Sequence, residues 1–560
     1  MTPLGTDVLV AGGGPCGLVL AIELGRRGVR CLLVDPKSGT AFHPQANATQ
    51  ARTMEHFRRL GFADEIRALG LPPDHPTDIV YATRFAGHEL ARLRLPTAAE
   101  AIRKVRTLGG SWSAAELTHR VSQKFVEATL RRHAEASPSV EVRFGWALDT
   151  FEDVGQGVEA VVRRRDDGRA ERVRAAFLVA ADGARSPVRR RLGIAWEGET
   201  GTARDFMGGK MFSMHVRAPA FRGATGRPPA WMHVAVNHER RGFLAAVDGR
   251  GEYACHAALH PGEDADGWGE VEARRVFAEL AGCDVPIDVL STGTWVAGHA
   301  LVAERFRDRA GGRVFLGGDA AHLFTPTGGL GYNTAVEDSV NLGWKLAAVL
   351  RGQAPMALLD SYEAERKPLA VRNTGYAHRF ADSVGLFRAG PELEEMSARG
   401  EAARRDAGAQ LDAHARLEFD IPGVTFGGRY DGSPVIGGDG TVPPADHPNR
   451  YVPTACPGGR PPHAWLADGS SLYDRFGPEW TLLALGPDDG PVSTAGFEAE
   501  AARRGLDLRV VRLADPALRA LYAAPLALLR PDQIVAWRGE QGGGGEAGAV
   551  LDRVLARPPG

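Results

Sequence analysis

Cysteine is scarce in this chain. Its 560 residues hold five, Cys16, Cys31, Cys255, Cys283 and Cys456, far apart in the sequence and without a C-x-x-C pair. That argues against a disulfide framework and against a zinc site, so no metal is expected and a reducing compartment is. Long apolar runs are also missing. The first one, Val8–Ala11, breaks at once on glycine, and no basic segment precedes it. Neither a signal peptide nor a membrane span is therefore expected, and the reading is cytoplasmic. Neither sign of charge is in excess: 67 Lys and Arg stand against 69 Asp and Glu. Such a balance leaves no electrostatic footprint for nucleic acid or an anionic membrane and favours a small-molecule partner.

What the chain does have is length and punctuating glycine. At 560 residues it exceeds a single core, and about two to four domains are expected. The strand pattern up to Ala11 is followed by Gly12-Gly13-Gly14-Pro15-Cys16-Gly17, an apolar helix to about Arg27, a strand from Cys31 and then Asp35. This is a dinucleotide fingerprint in its required strand, helix, strand context. Gly12 makes the tight turn, Gly14 admits a pyrophosphate to the helix N-terminus, Gly17 allows close packing and Asp35 accepts from a ribose. A second GxGxxG, at Gly543, Gly545 and Gly548, lacks a following strand and acid and reads as a flexible turn.

Two more acid–glycine turns follow strand patterns. Phe177 to Ala181 closes on Asp182-Gly183-Ala-Arg185-Ser186, and Val314–Leu316 closes on Gly317-Gly318-Asp319. After Asp319 comes Pro326-Thr-Gly328-Gly329-Leu330-Gly331-Tyr-Asn333, a loop that opens a long helix near Asn333. Its glycines let backbone approach a flat ring, and its helix N-terminus favours negative charge. His322 beside this turn reads as a local cap. Residues 43–61 run from a loop into an amphipathic helix, and residues 118–131 form another helical stretch, carrying Arg120 and Gln123. Short alternating strands fill residues 208–290 and read as a substrate-covering sheet bearing His215 and His233. Residues 391–416 are charged and read as an exposed helical linker. A small α/β unit begins beyond Gly423.

With GGGPCG, ADGARS and GGDAAH…PTGGLGYN in that order, and Tyr362 to Pro368 matching YExERxP, the chain resembles the flavin-dependent aromatic hydroxylases of the para-hydroxybenzoate and phenol hydroxylase type. The C-terminal text, Pro457 to Gly477 and Arg530 to Arg538, resembles the branch with a thioredoxin-like third domain. The resemblance implies an α/β fold: a glutathione-reductase-like FAD-binding Rossmann domain, discontinuous over 1–75, 105–190 and 290–390. Into it is inserted a β-sheet substrate domain of 76–104 and 191–289. A helical linker at 391–420 and a thioredoxin-like domain at 421–560 complete the expected order.

It also implies roles. FAD would be held by Gly12, Gly14, Pro15, Gly17, Asp35, Gln45, Gln123, Asp182, Asp319, Pro326, Gly329, Leu330, Gly331 and Asn333, with transient NADPH or NADH sharing the middle motif and molecular oxygen as co-substrate. Pro326 would sit by the oxygen-reactive face, and a flavin hydroperoxide would hydroxylate a phenolic or polycyclic, polyketide-like ring. Many members carry arginine where this chain has Gln45, and several carry an aspartate or histidine where it has Asn47. Asn47 can hold a substrate hydroxyl but cannot take its proton near neutral pH; His215 and His233 are the candidate bases. Two rivals stand beside this reading: a Baeyer–Villiger oxygenase or epoxidase on the same scaffold, and a non-catalytic FAD-binding sensor. Thioredoxin exchange needs two cysteines, and only Cys456 lies beyond residue 420, so the last domain is expected to serve packing or contact in a homo-oligomer rather than redox chemistry.

Overall fold

A computed structural model describes residues 3–200, 204, 206–260, 262–486 and 492–558. Its centre is a five-stranded parallel sheet in the order Val314–Leu316, Phe177–Ala180, Val8–Ala11, Cys31–Asp35, Val140–Phe144. The three inner strands and Val314–Leu316 are continuous buried apolar runs, as expected of a parallel sheet covered on both faces. The register aligns Ala11 with Val34 and Ala180, and Ala180 with Leu316. All three acid–glycine turns therefore leave the same carboxyl edge. The sequence order along the sheet reverses between Val8–Ala11 and Phe177–Ala180, which is where open α/β sheets bind ligands.

The helix Pro15–Gly25 starts with proline at its first turn and is buried on most sides, because the long helix Leu330–Leu350 crosses it from outside the sheet. The crossing is close: a Cβ on Gly343 would stand 2.7 Å from Glu23 Cβ, and Ser339 Oγ donates to Cys16 O at 2.6 Å. The helix Asp360–Gly385 runs unbroken through YExERxP. Pro368 and Ala364, whose carbonyl loses its donor, both lie on the exposed side, so water satisfies the gap.

A seven-stranded sheet, ordered Asp288–Val296, Lys210–Arg217, Glu252–Ala258, Gly242–Ala246, Met232–Ala235, Ile79–Ala82, Glu89–Leu93, stands over that edge. Phe212, Met214 and Val216 of one strand pack with Phe277 and Leu280 of the helix Glu270–Ala281 on the far face. Ser213 and His215, between them, turn to the near face and meet residues of the loop after Asp35.

The segment 391–416 is not an exposed linker. The helix Ala398–Phe419 lies across the near face of the sheet, burying Leu411, His414, Ala415 and Glu418, and Gly408 lets it approach Leu90 O on the edge strand, where a Cβ would stand at 2.4 Å. Its buried stripe, with Leu411 as its large apolar side chain, carries too little hydrophobicity to show against its charges. The Gly543 region is also not a flexible turn: it opens the helix Gly544–Val554, whose Ala547, Leu551 and Val554 are buried.

The C-terminal unit runs β-α-β-α-β-β-α, with sheet order Leu508–Leu513, Trp480–Leu485, Leu526–Leu529, Val535–Gly539 and only the first pair parallel. This is a thioredoxin-like arrangement. Cys456 is buried, with Arg429 Nη2 3.3 Å from its sulfur. A buried cluster fastens the unit to the cofactor domain: Arg530 donates to both Glu365 oxygens at 2.6 and 2.9 Å, and Lys345 Nζ reaches the same carboxylate at 2.6 Å. Among the described residues, no helix is long and apolar enough to cross a membrane.

Candidate active site

Each turn at the carboxyl edge has the geometry its glycines predict. Gly12 has φ +115°, and a Cβ there would lie 2.0 Å from Ala181 O, so the first and second turns abut. A Cβ on Gly17 would lie 1.9 Å from Gly12 O, whereas one on Gly14 meets nothing within 4 Å. The helix N-terminus at Gly14 and Pro15 thus faces open space of the kind a pyrophosphate needs. Asp35 is buried, accepting from Gly13 N at 2.7 Å and Lys37 N at 2.8 Å. Those two bonds fix the carboxylate and leave lone pairs for a ribose hydroxyl.

Asp319 has its side chain exposed although protein surrounds it deeply enough for burial to push its carboxyl above the usual range, against the pull of His322 and Lys37. A group both desolvated and open lines an internal cleft. Asp182 differs: Oδ2 accepts from Val188 N at 3.2 Å and Oδ1 is sealed without a partner, so it mostly caps its own turn. Its pKa is raised, chiefly by burial.

The third turn is braced from behind. Asp338, fully buried in the long helix, accepts from Gly318 N at 3.1 Å, from His322 Nε2 at 2.7 Å and from Arg366 Nε at 2.8 Å. His322 is therefore a buttress to a second helix rather than a local cap. Tyr362 adds a hydrogen bond from its hydroxyl to Leu316 O at 2.8 Å, so the YExERxP segment holds the third turn in place.

The long helix begins at Leu330, with left-handed Gly329 as its N-cap, three residues earlier than the sequence suggested. The first N–H groups, at Leu330 and Gly331, have no intrahelical acceptor. Asn333 is buried one turn in, and its side chain is already spent: Oδ1 accepts from Gln50 N at 2.8 Å, and Nδ2 donates to Ala48 O at 3.0 Å and Gly329 O at 2.6 Å. It ties the loop bearing Asn47 to the helix N-terminus. Pro326 is exposed between two anchored threonines, Thr325 Oγ1 donating to His299 O at 3.1 Å and Thr327 Oγ1 to Ala377 O at 2.6 Å.

Gln45 and Gln123 come together, 3.4 Å from Oε1 to Nε2, with Gln123 at the start of the helix Gln123–Glu135. Asn47 Nδ2 donates to Gln45 O at 3.3 Å while its Oδ1 has no partner.

The two candidate bases separate. His233 points to the far face, among Phe85 and Phe221, away from the cleft, and burial pushes it down to about 3. It is a core residue, and its expected catalytic role is withdrawn: strand alternation puts it opposite to the cofactor. His215 is on the near face, fully buried, its Nε2 2.5 Å from Glu252 Oε1. Burial lowers its pKa and Glu252 only partly restores it.

Two histidines not singled out in the sequence join it. His43 bridges Ser213 Oγ at 2.6 Å and Ser291 Oγ at 2.8 Å, clamping the cofactor-domain loop to the substrate sheet. His256 accepts from Trp295 Nε1 at 3.0 Å through Nδ1 and stacks on Phe243 at 4.6 Å. Trp295 can only donate, so the neutral His256 ring carries its proton on Nε2; burial pushes its pKa to about 3.

Comparison with known proteins bears on this cleft directly. A family model described as an FAD binding domain matches residues 5–376, and one described as the C-terminal part of aromatic-ring hydroxylases matches residues 454–558. The chain belongs to the FAD-dependent aromatic-ring hydroxylases. Aklavinone 12-hydroxylase RdmE of Streptomyces purpurascens is 34% identical over 98% of both chains. Among solved structures, the rebeccamycin biosynthetic enzyme RebC with reduced flavin superposes with a TM-score of 0.86 at 34% identity, covering 100% of both chains. Aklavinone-11 hydroxylase in ternary complex with FAD and aklavinone gives 0.81 at 30% identity, again over 100% of both. This hydroxylase is thus an FAD enzyme, and the turns described above fit that cofactor.

Proposed function

We propose that this hydroxylase consumes NADPH or NADH and molecular oxygen to place one oxygen atom on an activated carbon of a phenolic or polycyclic, polyketide-like aromatic, in the cytoplasm. The observation that carries the reading is the exposed Asp319 side chain at the carboxyl edge of the parallel sheet, where the loop after Asp35 reaches through His43 to Ser213 and Ser291 on the near face of the large sheet. Relatives that act on aklavinone support the substrate class.

Bound FAD would supply the oxygen-transfer chemistry. The chain's own residues position and shield. The helix start at Gly14 and Pro15 would take the pyrophosphate, Asp35 a ribose hydroxyl, and Asp319 a ribitol hydroxyl, with Gln45 and Gln123 alongside. The first N–H groups of the long helix, at Leu330 and Gly331, would hold negative charge on the reduced ring. Asn47 would orient a substrate hydroxyl through its Nδ2 amide, which is exposed while its Oδ1 is sealed. The hydroxyl proton would leave by another group, and of the two strand candidates His215 is the one on the near face.

The test is a panel of phenols and polycyclic hydroxyquinones scored for stimulated NAD(P)H consumption, with product mass and position of substitution. A product one oxygen heavier and hydroxylated on the ring supports the reading. Ring expansion or an epoxide favours the other oxygenase chemistries, and no stimulation by any aromatic removes it.

A further inference from the structure

Arg120 is a buried cation short of an anion. The residue is 8% exposed. Among the described residues its side chain makes no hydrogen bond or ion pair; it lies 4.1 Å over the indole of Trp231 and 5.9 Å from the ring of Phe419. Its nitrogens are not among the sealed polar atoms without a partner, so they border open space. Other deeply buried arginines are matched: Arg366 with Asp338 at 2.8 Å, Arg460 with Glu55 at 2.5 Å and Arg530 with Glu365 at 2.6 Å. The carboxylate that acts on Arg120, Glu418, is committed elsewhere, accepting from Gly328 N at 2.9 Å and lying 3.0 Å from His414 Nε2. Burial pushes the guanidinium down to about 10 against the influence of Glu418, which leaves it charged at neutral pH.

It lies among residues from three elements. The segment before it pairs with the flavin-side loop through the Thr49–His119 bridge, two residues from Asn47. Trp231 leads into a strand of the large sheet. Phe419 and Glu418 end the helix that covers that sheet, and Glu418 holds Gly328 of the cofactor loop. A buried, unmatched cation is destabilising, and a guanidinium backed on one face by indole keeps its donor edge free for a planar acceptor.

We propose that Arg120 seats an anionic oxygen of the aromatic substrate, a carboxylate or an ionised phenol or enol on a flat ring system, so that the enzyme selects acidic aromatics over their neutral esters and ethers. This rests on the aromatic-substrate reading above and narrows it.

The test uses the FAD-loaded full-length enzyme and its Arg120→Gln variant. Both are titrated through the flavin absorbance with ortho-hydroxynaphthoate, its methyl ester and its O-methyl ether, and melted by flavin fluorescence. The wild type is expected to prefer the acid by about 10- to 100-fold over the ester or the ether. The neutral derivative that loses affinity tells a carboxylate seat from a phenolate seat. Arg120→Gln is expected to level the preference while binding the neutral compounds as before, and to melt no lower than the wild type without ligand.

An unchanged acid-to-neutral ratio in the variant, or a wild type that binds none of the three, overturns the proposal. So does a preference for NADPH over NADH that disappears in Arg120→Gln, which would give the cation to the nicotinamide co-substrate. A variant that melts lower than the wild type, and that Arg120→Lys restores without restoring acid preference, makes the residue structural and also overturns it. FAD content and substrate-independent NAD(P)H oxidation of the wild type are read on the same samples. Their absence sinks the oxygenase reading itself.

Discussion

Arg366 Nε donates to Asp338 Oδ1 at 2.8 Å, joining two long helices immediately behind the turn that carries Asp319. Burial pushes the Asp338 carboxyl up, but His322 and Arg366 outweigh it and hold it below the usual carboxylate range. A depressed folded pKa contributes stability that is present above the unfolded value, about 4, and lost as pH falls through the lower folded value. Asp338→Asn leaves Arg366 with Glu337, 3.1 Å from Nη1, as its remaining carboxylate and is expected to cost up to about 3 kcal/mol. It should also flatten the acid limb of stability below about pH 4. Denaturant melts from neutral to acid pH, with flavin content, check both; a variant as stable as the wild type at neutral pH contradicts the buttress.

Asp319→Ala is expected to lose FAD, because it removes a charge-assisted hydrogen bond worth about 10- to 100-fold in affinity. Gel filtration of diluted protein followed by flavin quantitation measures this. Full retention would move the third turn out of the cofactor site.

Asn47→Ala is expected to keep its flavin and still oxidise NAD(P)H, while less of that consumption ends in product and more in hydrogen peroxide. Losing one hydrogen bond of about 0.5–1.5 kcal/mol, or more to a phenolate, corresponds to a several-fold to about hundredfold fall in productive turnover. Product formed per NAD(P)H oxidised is the readout, and unchanged coupling would remove Asn47 from the substrate.

His233→Leu is expected to leave kcat and KM within about twofold of the wild type, since its ring faces the far core. Its folded pKa, pushed down to about 3, lies below the unfolded value near 6.5. The wild type therefore carries a stability contribution that is complete above about pH 6.5 and lost at up to about 1.4 kcal/mol per pH unit as pH falls toward the folded value. The leucine variant should lack that slope. Stability measured across this range, with steady-state kinetics, decides it; a large loss of turnover would return His233 to the active site.

The parallel sheet and its three turns could be read from the sequence because local requirements write them locally: an apolar run, then a glycine where no side chain fits, then an acid. Gly12, Gly17, Asp35 and Asp319 each stand where that logic puts them. The covering helix Ala398–Phe419 was hidden because its buried residues mix Gly and Ala with His414 and Glu418, leaving Leu411 as the large apolar side chain under a charged exterior. Strand histidines could not be sorted without knowing which face meets the cofactor, and the register that turns His215 inward sends His233 away. His43 escaped notice because its partners lie 170 and 248 residues further along, a pairing no local pattern encodes.

Glu365, gripped by Arg530 of the C-terminal unit, is the immediate neighbour of Arg366, which braces the flavin turn through Asp338. The two contacts sit on adjacent residues of one helix, so any coupling between cofactor loading and docking of the last domain would run through it. By reciprocity, whatever FAD adds to the hold on that domain, the domain returns to the affinity for FAD. Cutting the chain after the covering helix removes Arg530 and leaves Glu365 to Lys345 in a newly wetted seam, and a lower flavin content in the truncated protein is the expected result. With its single buried thiol, the thioredoxin-like unit is expected to act there as a strut rather than as a redox partner.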